Sequence, residues 1–116
     1  MRVALAATAV MNVFGAAVFA PLSTLAHDLG GFPREVHPLY AWTVAEFIGL
    51  FGVGYGWCAW TGSAPRLFIA VGAAGKLAFF ATLAVLCAQG ALPVRAVVLG
   101  SADLWFGLAF LFWLVR

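Results

Sequence analysis

The chain has 116 residues, enough for one small domain, and 66% of them are hydrophobic while 9% are charged. A water-soluble domain carries about 25% charged residues, and disorder needs few aromatic and aliphatic side chains, so this balance excludes both. The net charge of +2 comes from scattered residues, which leaves no basic stripe for nucleic acid. With a mean hydropathy of +1.08, the composition is that of an integral membrane protein.

Ionisable residues are missing from Val3 to Ala26, from Phe47 to Pro65, from Leu77 to Val94 and from Leu104 to Val115. Crossing ~30 Å of hydrocarbon takes about 20 apolar residues in a helix. The expected spans are 3–25, 40–61, 66–89 and 95–115, all helical because lipid leaves backbone groups no other partner. The expected fold is all-α, an integral membrane antiparallel four-helix bundle forming a single domain, with successive helices as neighbours.

The first segment, Met1-Arg2 and an apolar run ending Val18-Phe19-Ala20, resembles a secretory signal. Pro21 directly after that cleavage site is a poor arrangement, so we expect a retained span that Pro21 kinks or ends. The connection His27 to Leu39 contains His27, Asp28, Arg34, Glu35 and His37, whose spacing matches no metal site, so it reads as a solvated loop. Thr61-Gly62-Ser63-Ala64-Pro65 and Gln89-Gly90-Ala91-Leu92-Pro93 are turns that separate the later spans.

Arg2, Arg66 and Arg116 fall on one side, Arg34 and Arg95 on the other. The positive-inside rule then places both termini in the cytoplasm. Tyr40 and Trp42 fall at the outer interface, and Trp57, Trp60 and Trp113 at the inner one. Cys58 and Cys87 fall at opposite ends of their helices, too far apart for a disulfide.

Four polar residues stand inside the apolar runs: Asn12, Glu46, Lys76 and Asp103. A charge at mid-membrane costs ~3 kcal/mol or more, so each needs a partner. At 1.5 Å per residue Asn12, Lys76 and Asp103 lie roughly 12–15 Å from the nearer helix ends, and Glu46 about 9 Å from its own. They are expected to form a buried polar core around a Lys76–Asp103 ion pair. Asn12 adds a hydrogen bond, and Glu46 lies toward the outer side. Gly49, Gly52 and Gly56 accompany Glu46, Gly72 and Gly75 accompany Lys76, and Gly100 and Gly107 accompany Asp103, as small residues that let helices pack. The pair reads either as a clamp that sets helix register or as part of a transport or catalytic path.

Gly52-Val53-Gly54-Tyr55, Ala64-Pro65-Arg66, Gly72-Ala73-Ala74-Gly75-Lys76 and Asp103-Leu104 together form a pattern over residues 40–116. It is similar to a group of small, uncharacterised four-helix bacterial inner-membrane proteins and more distantly resembles the DoxX-like families. The resemblance implies a bundle in a bacterial inner membrane, with Lys76 and Asp103 in a shared motif, and implies no reaction.

The sequence holds no redox cysteine pair, no nucleophile–base pair and no cofactor or metal motif. The expected role is therefore structural, an accessory subunit docked in the bilayer against other membrane subunits or itself. A small proton- or ion-coupled transporter acting as an oligomer is the alternative, and a membrane redox or lipid-modifying enzyme is a second.

Overall fold

The computed structural model describes residues 1–20, 24–33 and 35–116, and every regular element in them is an α-helix. In chain order these are α1 (Arg2–Phe19), α2 (Leu25–Gly30), α3 (Pro38–Thr61), α4 (Arg66–Ala88) and α5 (Val94–Val115). The expected span 3–25 is shorter than predicted, since α1 stops at Phe19 and the short α2 occupies part of the expected loop. The effects expected of Pro21 and Arg34 fall outside the described residues.

The helix ends follow local chemistry. Pro38 opens α3 with its fixed φ, and His37 Nδ1 accepts the backbone N–H of Leu39. Gly62 closes α3 at φ +72°, a left-handed conformation that disfavours any Cβ. Pro65 and Pro93 then precede α4 and α5. By length and apolarity α1, α4 and α5 each suffice to cross a membrane. The longest helix, α3, is more mixed, because Glu46 interrupts it and Trp57, Trp60 and several glycines dilute its aliphatic content.

The packing is two antiparallel hairpins. The first pairs α1 with α3, and the second pairs α4 with α5. The consecutive helices α3 and α4 are not a close backbone pair, contrary to expectation; they meet through Tyr55 and Phe68, whose rings lie 5.2 Å apart. The reason is bulk, because aromatic side chains fill the space that small residues leave narrow within each hairpin. Thus Gly52 faces Asn12 across the first hairpin, and Gly107 faces Lys76 and Leu77 across the second.

The hairpins repeat one another. Each begins with an arginine that donates to carbonyls at the end of its partner helix: Arg2 to Ala59 and Trp60, Arg66 to Leu114. These cations sit where the helix dipole is negative. Buried Leu5, Thr8 and Asn12 in α1 have the same spacing as buried Ile69, Gly72 and Lys76 in α4. Buried Ala45, Gly52 and Tyr55 in α3 have the spacing of buried Gly100, Gly107 and Phe110 in α5. Where the hairpins meet, Tyr55 packs on Phe110 at 5.6 Å.

The end of the bundle near Arg2 and Arg66 is dense, with a core of Leu5, Tyr55, Cys58, Ile69, Ala73 and Phe110. Cys58 belongs to this core and Cys87 is half-buried; both are free thiols. The outer surface is apolar nearly throughout, with Val10, Leu50, Val53, Trp57, Leu67, Trp105 and Phe112 all exposed. Exposed hydrophobic surface of this extent marks a membrane or protein contact.

Candidate functional site

Three of the four sequence-predicted polar residues come together halfway along the helices. Lys76 is 6% exposed, and its Nζ lies 3.0 Å from Asp103 Oδ1 and donates to Asn12 Oδ1 at 3.2 Å. Asn12 Nδ2 donates in turn to the backbone carbonyl of Ile48 at 3.0 Å. One network therefore ties α1 and α3 of the first hairpin to α4 and α5 of the second. Aromatic rings complete the surroundings of the ammonium, with Tyr55 at 5.4 Å and Phe106 at 6.0 Å.

The glycines explain the approach. A Cβ on Gly52 would stand 3.0 Å from that of Asn12, so Gly52 lets the amide reach the α3 backbone. Gly107 does the same for Lys76, where a Cβ would stand 3.4 Å away. Gly72 lies directly under the Tyr55 hydroxyl, and Gly100 under Leu83. Gly49 and Gly56 face Ala16 and Ala9 at ordinary van der Waals distance. Gly75 has no neighbour within 4 Å of a built Cβ and is exposed, so it makes no helix contact of the kind expected.

Glu46 is corrected more thoroughly. It is exposed and forms no hydrogen bond or ion pair among the described residues, so it is no part of a buried polar core. The expected grouping with Gly52 fails because six residues at ~100° each turn the helix by ~240°, which puts the two on different faces. Glu46 shares its face with Trp42, Leu50, Val53, Trp57 and Trp60, all pointing away from the bundle.

Above the network, toward α2, lies a cavity of about 410 Å³. Asn12, Tyr55, Lys76 and Asp103 form its polar end, and its walls are otherwise mainly apolar, with Phe47, Phe51 and Phe79 prominent. Phe19 and Phe32 meet edge to face at 5.0 Å and line its far end. Exposed Phe14, Phe47 and Val71 stand in its lining, so it opens on the outside of the bundle.

Not all polar atoms at this end are used. The ammonium has three donors and two acceptors, and Asp103, 22% exposed, uses only Oδ1. Tyr55 is 1% exposed, and its hydroxyl has no hydrogen-bond partner among the described residues. Tyr55 and the Ile48 carbonyl were missed as site groups by sequence reasoning. A hydroxyl one turn beyond Gly52 within an apolar run was the available signal for Tyr55; a backbone carbonyl gives none.

The histidines lie elsewhere and serve the backbone. His27 Nδ1 lies 3.0 Å from the Phe32 carbonyl, and His37 caps α3. In comparisons with known proteins, no family model, curated protein or solved structure matches the chain.

Proposed function

We propose that the protein is a multi-pass membrane protein in which α1, α3, α4 and α5 all cross a bacterial inner membrane as a four-helix bundle. Both termini lie in the cytoplasm, and the chain acts as an accessory subunit that docks another membrane protein along α3. The apolar outer surface and the placement of Arg2, Arg66 and Arg116 at one end support the topology. α3 belongs with the spans because its 24 residues extend ~36 Å, as long as its neighbours require.

The observation that carries the docking role is the unpaired carboxylate of Glu46 on an apolar face. It lies ~12 Å along α3, below the interface and within the hydrocarbon layer. A carboxylate facing acyl chains there is unfavourable by several kcal/mol unless it is neutralised or paired. Among the described residues its own chain offers no cation: Lys76 is committed inside the bundle, and Arg2, Arg66, Arg95 and Arg116 lie at or near helix ends. A second copy docked symmetrically on α3 would bring another Glu46, a like charge. The fitting occupant is a transmembrane helix of a different subunit, with a basic or hydrogen-bond-donating side chain at that depth and small residues against Trp42 and Leu50.

The test is the mass of the native assembly in mild detergent. We expect wild type to migrate well above the 12.2 kDa of one chain with a stoichiometric second component. Glu46→Lys should release that component, while Glu46→Gln keeps part of it. A lone chain, or an assembly indifferent to Glu46→Lys, would end the proposal.

A further inference from the structure

We infer that the cavity binds a neutral, hydrocarbon-soluble molecule that places one carbonyl or hydroxyl oxygen against Tyr55, Lys76 and Asp103. Glu46 is not in the cavity lining, so this inference stands apart from the docking role.

The first hairpin serves as an internal control for the second. At matching positions the first holds Asn12 and Ile48, and the second holds Lys76 and Asp103. In the first, one amide bonded to one backbone carbonyl suffices to tie the helices. The second does the same job with two ionised groups, each far harder to keep out of water than an amide. Packing alone does not call for that choice. What the charged version adds is spare hydrogen-bonding capacity at the end of a cavity: the third ammonium proton, Asp103 Oδ2 and the unpartnered Tyr55 hydroxyl.

The chemistry of the occupant follows from charge, depth and size. Lys76 and Asp103 cancel each other, so an ionic head would leave uncompensated charge in a low-dielectric site. A single oxygen able to accept from Lys76 or Tyr55 meets no such penalty, and a hydroxyl can also donate to Asp103. The polar end lies ~15 Å from the Arg66 end of α4, near mid-membrane, where a phospholipid headgroup does not reside. The occupant must therefore be a molecule that dissolves in the acyl layer as a whole. It would enter past Phe14, Phe47 or Val71 and lay its apolar body between Phe51 and Phe79. The volume of about 410 Å³ is within the ~300–1,000 Å³ of small-molecule sites. Prenyl quinones and isoprenoid alcohols share this chemistry.

The experiment uses the full chain in phosphatidylcholine nanodiscs with four probes: a decyl-substituted benzoquinone, farnesol, palmitate and dodecylammonium. Binding is read by the shift in Tm and by the mass of the complex. We expect one neutral probe to bind at one molecule per chain, its identity telling carbonyl from hydroxyl ligands, and both ionic probes to bind much more weakly. The double variant Lys76→Asn with Asp103→Ile copies the first hairpin and should fold yet bind about tenfold more weakly or worse. Tyr55→Phe should weaken binding by about threefold to tenfold. Failure of both neutral probes, palmitate or dodecylammonium binding as tightly as they do, or a folded double variant with wild-type affinity would each overturn the inference. If the double variant does not fold, Tyr55→Phe decides, and unchanged affinity there overturns it.

Discussion

The first hairpin and the second solve the same packing problem with different chemistry. In both, a glycine on the returning helix admits a polar side chain from the outgoing one: Gly52 admits Asn12, and Gly107 admits Lys76. In both, an arginine closes the far end against helix carbonyls. Asn12 is satisfied by backbone and stays neutral, whereas Lys76 needs a carboxylate within reach. The difference separates what helix association requires from what has been added. Small residues and one hydrogen bond are enough to join two helices in lipid, so the ionised pair lends the second hairpin a polarity the first does without.

Substitutions can break this comparison, and their expected effects differ in size. The largest belongs to Asp103→Ala, which strands the buried ammonium; we expect a loss of about 3–5 kcal/mol by reversible unfolding in detergent. Asn12→Ala removes one acceptor from Lys76 and leaves Asp103 in place, so its loss should be smaller, about 1–3 kcal/mol in the same assay. If Asn12→Ala proved the more damaging, the neutral hairpin would be the one that sets stability. Arg66→Ala should cost at most about 1 kcal/mol, since the guanidinium is exposed and its gain is with the helix dipole. Gly75→Ala should be the mildest and of opposite sign, a gain of up to about 1 kcal/mol, because no heavy atom stands in the way and alanine favours the helix. Gly107→Ala, the matched test of a crowded glycine, should instead lower Tm, as a Cβ there falls 2.9 Å from Leu77.

Much of this was legible in the residues because charge is conspicuous against an apolar background. Lys76 and Asp103 stand out in segments otherwise free of ionisable groups, and counting rise per residue puts them at one depth. The helices from Pro38 onward lie within two residues of the expected bounds because Gly62, Pro65 and Pro93 punctuate them. Azimuth was harder than depth. Depth along α3 suits Glu46 to the interior but its rotation turns it outward, and Gly75, though one residue from Lys76, borders open space. Short turns also misled, since the tight Gly62–Pro65 connection does not make α3 and α4 a close pair when Tyr55 and Phe68 wedge between them. The repeat was invisible because its equivalent positions hold different residues, such as Asn12 with Lys76 and Tyr55 with Phe110. What is preserved is an interval and a pattern of burial, which only the folded chain displays.

The contact between Asn12 and Lys76 has a further consequence. These two occupy equivalent places in their hairpins and touch each other, so they straddle a local dyad. In a homodimer of separate hairpins, any side chain on that dyad would face its own copy, and two lysines would repel in an apolar interior. A single polypeptide carrying both hairpins is under no such self-facing constraint. An amide can then stand opposite an ammonium, and a lone carboxylate can balance the charge on one side only.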